Sequence, residues 1–96
     1  MTAVTAASVP RLPRGVRLER DSARGIWLLL APERIFELDQ MAVAVIDEVD
    51  GISSIAAITR RLAQKYAASQ ARVEAEIIAM IERLVAQRVV DLQESA

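Results

Sequence analysis

The chain of 96 residues contains no cysteine and no histidine. The first absence excludes disulfides, thiolate metal sites and thiol nucleophiles; the second excludes imidazole ligands and the usual general base of Ser/His/Asp and Cys/His sites. Aromatic residues amount to one Trp, one Tyr and one Phe. No sign of charge dominates either: 12 basic against 13 acidic residues give a net charge of −1 and a pI near 5.4. That balance leaves no strongly basic face for phosphate contacts, so nucleic acid is not expected as a partner. Long apolar runs are missing, and Met1 to Pro10 has neither the positive region nor the apolar stretch of a signal peptide. The reading is a cytoplasmic protein without a membrane partner.

What is present is a hydrophobic fraction of 53% with 26% charged residues, the composition of one small globular domain. Roughly 60–65% of the unfolded chain's surface is buried at this length, so the core is thin and association with another chain adds useful burial. Eleven of the 12 basic residues are arginine and only Lys65 is lysine. Arginine suits planar pairing with carboxylates, though a GC-rich genome gives the same bias.

Met1 to Gly15, broken by Pro10 and Pro13, reads as a flexible arm (residues 1–15) ahead of a domain at 16–92, with a tail at 93–96. Val16, Leu18 and Arg20 alternate with Arg17 and Glu19 and predict a strand, followed by turn residues at 21–25. Ile26 to Leu30 predicts the second strand of a hairpin, and Ile35 to Leu38 a short third strand after Pro32. Asp39 is placed as the N-cap of a first helix with Leu38, Met41, Ala42, Val45, Ile46 and Val49 on its apolar stripe, ended by Asp50-Gly51. A second helix is expected after Ser53 as its cap, with Ile55, Ile58, Leu62 and Tyr66 inward. A third, about Gln70 to Gln87, carries Val73, Ile77, Met80, Ile81, Leu84 and Val85 on one side. Val89 to Leu92 is a candidate final strand. The order predicts an α+β fold, a three-stranded antiparallel sheet followed by three helices, resembling a winged helix-turn-helix. The third helix mixes Glu74, Glu76 and Glu82 with Arg72 and Arg83, unlike a DNA-reading helix.

Catalytic chemistry finds no foothold. Asp47, Glu48 and Asp50 cluster before Gly51, but the twelfth position of a calcium loop counted from Asp47 falls on Ile58. These acids oppose the dipole at the end of the first helix, so Arg60, Arg61 or nearby amides are expected to compensate them. Ser53 and Ser54 have no base beside them. No catalytic residue, metal ligand or cofactor is predicted.

Binding features are easier to find. Ile26, Leu28 and Leu30 point to one face of the second strand and Trp27 and Leu29 to the other, so both faces need cover. Trp27 either packs beneath the arm or the last segment, or belongs to an interaction surface. The third strand leaves an edge at Ile35–Leu38 unless Val89–Leu92 pairs with it, and open edges accept strands. Phe36 shares its face with Leu38 and is assigned inward, Ile35 outward.

Arg17-Leu18, the run Trp27-Leu28-Leu29-Leu30-Ala31-Pro32-Glu33-Arg34, Leu38, Asp50-Gly51 with Ile58 and Leu62, and Glu76-Ile77 with Met80 and Leu84 together resemble the PqqD family of pyrroloquinoline quinone (PQQ) biosynthesis. The resemblance covers about Leu12 to Leu92. Glu76 stands where the family usually has aspartate, and Arg88 where a glycine commonly precedes the last apolar pair. The resemblance implies a RiPP recognition element, a non-catalytic peptide chaperone that binds the precursor peptide PqqA and presents it to the radical SAM enzyme PqqE, which joins a glutamate to a tyrosine. It implies that the peptide adds to the third strand against the third helix, placing Arg34, Ile35, Phe36, Glu37 and Leu38 in contact, with Arg72, Glu76, Ile77, Met80 and Arg83 as helix candidates. A monomer is expected in dilute solution and a homodimer at high concentration or in crystals. A winged-helix DNA-binding protein and a self-associating structural or adaptor module are the alternatives.

Overall fold

The computed structural model describes residues 3–93. Its elements, in chain order, are β1 (Val9–Arg11), β2 (Arg17–Asp21), β3 (Ile26–Ala31), β4 (Arg34–Leu38), α1 (Gln40–Asp47), α2 (Ile55–Lys65), α3 (Gln70–Ala86) and β5 (Asp91–Gln93). β2, β3 and β4 form the expected three-stranded antiparallel sheet in that order, and the three helices follow it. The Asp21 carboxylate accepts from the amide and Nε of Arg24, and Gly25 takes a φ of +67°, closing the first hairpin. Pro32 and Glu33 alone connect β3 to β4, with Glu33 at a φ of +61°.

The register sorts the sheet into two faces. Leu18, Leu29 and Phe36 stand side by side, as do Arg20, Trp27 and Leu38. This face meets the helices: Leu29 is fully buried with Val45, Ile55, Ile58, Ile77 and Ile81, and Leu18, Phe36 and Leu38 pack against that cluster. The opposite face carries Ile26, Leu28, Leu30 and Ile35, with Glu19 and Glu37 flanking Leu28 across the ladder. Phe36 does turn inward, and Ile35, 67% exposed, outward.

Asp39 caps α1 as expected, its carboxylate accepting from the Ala42 amide at 2.8 Å. The helix itself stops at Asp47, three residues before the predicted end, and Asp50-Gly51 shapes the following loop instead. Ser54 rather than Ser53 caps α2, accepting from Ala57 at 3.1 Å, because the Asp50 carboxylate has taken the Ser53 amide and hydroxyl. Tyr66, expected inward, is the C-cap of α2 and 59% exposed: its stripe position falls where the helix turns away at Ala67, whose φ is +51°. α3 ends in a closed turn with Arg88 donating to Val85 O and Val89 to Leu84 O. Arg88 takes a φ of +62° there, the left-handed conformation that glycine adopts without strain.

The expected arm needs correction. Residues 4–11 are part of the fold: Val4 and Pro10 are buried, and β1 pairs antiparallel with β5, Pro10 opposite Leu92, with an Arg11–Asp91 ion pair at 3.2 Å. Gln93, assigned to the tail, lies in β5; residues 94–96 and Met1-Thr2 fall outside the described residues. The physical reason lies at the start of α2, whose first amides have no partner within the helix. The carbonyl of Ser8 accepts from Ile55 and that of Ala6 from Ala56, both at 2.8 Å. Deleting residues 1–11 is therefore expected to cost about 3 kcal/mol, since burying Val4 and Pro10 contributes roughly 1.5 kcal/mol each before any hydrogen bond is counted. Urea unfolding of the truncated and full chains measures it, and equal midpoints would show the segment to be dispensable. No helix among the described residues is long and apolar enough to cross a membrane.

Candidate functional site

Two strands of the main sheet have only one neighbour among the described residues, β2 and β4. Val89–Leu92 does not cover β4, because β5 is committed to β1. The two edges differ in chemistry. β2 reads Arg-Leu-Glu-Arg-Asp, with Arg17 and Glu19 paired at 3.2 Å, a charged edge of the kind that discourages strand addition. β4 offers Ile35, Phe36 and Leu38.

Backbone geometry makes the β4 edge specific. Ala31 and Arg34 flank the two-residue turn as opposed partners, and partners alternate along the ladder as Leu29–Phe36 and Trp27–Leu38. Pairs that exchange both hydrogen bonds alternate with pairs that exchange none, and the pair flanking a two-residue turn is bonded. The N–H and C=O groups of Ile35 and Glu37 therefore face the open side.

Beside this edge runs a groove of about 200 Å³ between β4, the start of α1 and the C-terminal half of α3. Of the ten residues predicted as the site, Phe36, Glu37, Leu38, Met80 and Arg83 line it together. Arg34 does not line it; its guanidinium donates to the Gln87 carbonyl at 2.6 Å, satisfying an orphan acceptor at the end of α3, and lies 5.4 Å from the Phe36 ring. Ile35 is on the other face of the sheet. Arg72 and Glu76 pair with each other at 3.5 Å on the N-terminal half of α3, away from the groove. Ile77 is fully buried and belongs to the core. Asp39, Ala42 and Leu84 also line the groove and were not predicted; the i, i+4 spacing of Leu38 and Ala42 was the available signal.

A second, larger hollow of about 640 Å³ opens between α1, the end of α2 and the N-terminal half of α3, beneath Trp27. Trp27 thus lines a hollow among the helices, with the Arg20 guanidinium 5.8 Å from its ring.

Two of the three acids in the cluster at the end of α1, Glu48 and Asp50, are held by neighbouring groups. Glu48 pairs with Arg61 at 2.7 Å, one of the compensating arginines expected. Asp50 is held below its usual carboxylate pKa first by the Ser53 amide and then by that of Ile52. Among the described residues no group of three or more His, Cys, Asp or Glu side chains could hold a metal ion.

Residues 27–90 match the sequence model of the family described as coenzyme PQQ synthesis protein D (PqqD). The bifunctional coenzyme PQQ synthesis protein C/D of Methylorubrum extorquens is 48% identical over 90 residues, which is 94% of this chain; the chain spans 24% of that protein's length. The PqqA binding protein of Xanthomonas euvesicatoria is 42% identical over 92 residues, 96% of this chain and 100% of that protein. The solution structure of the PqqD truncation of Methylobacterium extorquens PqqCD, described as a functional and stand-alone RiPP recognition element, is similar with a TM-score of 0.84 and 48% identity, covering 94% of this chain and 96% of its own. The crystal structure of PqqD from Xanthomonas campestris is similar with a TM-score of 0.58 and 39% identity, covering 91% of this chain and 97% of its own.

Proposed function

The chain belongs to the PqqD family, and on that premise we propose that it is the peptide chaperone of PQQ biosynthesis, binding the precursor peptide PqqA by strand addition to β4. The observation that carries this reading is the β4 edge, unpaired among the described residues, with a groove between it and α3. A guest strand gains backbone hydrogen bonds from Ile35 and Glu37 and places alternate side chains against Phe36, Leu38, Met80 and Leu84. Arg83, on the α3 wall, presents positive charge to the guest's polar side chains, while the Glu37 side chain stands on the opposite face of the sheet with Leu28.

The chaperone performs no chemistry of its own and hands the bound peptide to the radical SAM enzyme PqqE in the cytoplasm. The lack of histidine and cysteine supports a binding role. A monomer in dilute solution, pairing with a second copy only at high concentration, keeps β4 available to the peptide. Titrating isotopically labelled protein with PqqA tests the reading: the amides of Arg34 to Leu38 are expected to shift most, with Met80 to Leu84 next. Largest shifts at β2, or in residues 3–15, would place the peptide elsewhere.

A further inference from the structure

The larger hollow is left unexplained by strand addition alone. The charged Asp47, Lys65 and Glu76 line it, but its walls are mostly apolar, with Trp27, Met41, Ala44, Tyr66 and Val73 among them. Folding leaves two of these substantially open to solvent, Met41 at 36% and Tyr66 at 59% exposure. Its volume lies within the range of small-ligand pockets, roughly 300–1,000 Å³.

The hollow and the β4 groove share α3 in a regular way. Met80, Arg83 and Leu84 line the groove; Val73, Glu76 and Ile77 line the hollow. Each of the second set lies seven residues before its counterpart, so one helix face serves both sites about two turns apart. At the α-helical rise this is about 10 Å, a distance an extended peptide covers in about three residues. The direction is also fixed. Arg34 touches Gln87 at the end of α3, whereas Leu38 shares the groove with Met80, so passing along β4 from Arg34 to Leu38 leads back along α3 toward the hollow. Trp27 in the roof of the hollow is the ladder partner of Leu38.

We propose that the hollow beneath Trp27 receives a large apolar or aromatic side chain of the same peptide, carried about three residues beyond the strand that pairs with β4. The inference rests on the reading of β4 as the peptide edge and adds a second anchor to it. Strand pairing alone binds many extended sequences, because its hydrogen bonds involve only backbone. An apolar anchor at a fixed distance selects peptides that carry the right side chain at that spacing.

The test uses the full chain and synthetic PqqA peptide. The indole N–H of Trp27, the sole tryptophan, reports on the hollow, and the amides of Ile35 and Glu37 report on the edge. Both are expected to shift together on titration. Ala44→Phe fills the hollow and is expected to weaken binding about tenfold, the worth of one buried large apolar side chain, while the β4 amides still shift at saturation. Should that variant unfold, Tyr66→Ser decides, since Tyr66 is largely exposed and its loss spares the core; a several-fold weaker complex is expected. If the β4 amides shift while the indole stays still and both variants bind as the parent does, the second anchor is wrong and strand addition stands. If the β4 amides do not respond, strand addition itself fails, and this inference with it.

Discussion

Ile35→Pro is expected to remove peptide binding while leaving the fold in place. Ile35 is 67% exposed, and antiparallel alternation from the Ala31–Arg34 pair directs its N–H away from β3. Proline is tolerated in edge strands where its missing N–H would have faced solvent, so the loss of stability should stay near ~1 kcal/mol. A guest strand meets a different surface. One of its carbonyls loses a donor, leaving an acceptor unpaired at about 1–3 kcal/mol, and the pyrrolidine ring occupies the space through which the guest approaches. Affinity for PqqA should fall by at least about tenfold. Phe36→Pro is the control, because alternation makes Phe36 bond to Leu29 in the ladder and its ring packs on the core. That variant should lose roughly 3 kcal/mol or more and unfold early. Calorimetric titration with PqqA and urea unfolding of both variants check the pair. An Ile35→Pro protein that is folded and binds within about twofold of the parent would show that the peptide does not lie along β4.

Much of this arrangement is legible in the sequence where the signal is local. α3 declares itself through an apolar period sustained over nearly four turns, and Ile77, Met80, Ile81 and Leu84 are buried as that period requires. Asp39 is a cap because a short acceptor precedes an apolar stripe, and the hairpins follow from turn residues set between alternating strands. The inward turn of Phe36 and outward turn of Ile35 need only the parity of Leu38. Non-local features are different in kind. β1 is three residues long, contains a proline, and finds its partner at the far end of the chain, Val9 opposite Gln93, so no window of neighbouring residues reveals it. Ser53 and Ser54 are equally good caps until Asp50 claims one of them. Tyr66 obeys the helical period but arrives as the helix ends. The groove and the hollow depend on how far α1 and α3 stand apart, a distance that no residue pattern encodes; only the residues that line them can be guessed.

Separating stability from binding calls for a substitution that strikes the core without touching the groove, and Leu29→Ala is the one with the largest expected cost. Leu29 lies on the central strand, is fully buried, and stands between Leu18 and Phe36 beneath the helices. Truncation leaves a closed void there, because the neighbouring strands hold the backbone in place, so the loss should reach about 3–5 kcal/mol. A domain of this size has roughly 5–14 kcal/mol in all, which makes the variant marginal, and at about 4–8 °C per kcal/mol its melting temperature should fall by at least about 12 °C. Leu28, the preceding residue, gives the comparison. It is also well covered at 9% exposure, but on the outer face, where its ladder neighbours are the side chains of Glu19 and Glu37. Removing it opens a dent that water fills, so Leu28→Ala should cost only about 1–2 kcal/mol. Neither residue lines the groove or the hollow, so both variants should bind PqqA with the parent's affinity once concentrations are corrected to the folded fraction. Equal losses of stability in the two would mean that the outer face is covered as completely as the inner one, and that the sheet packs against something on both sides.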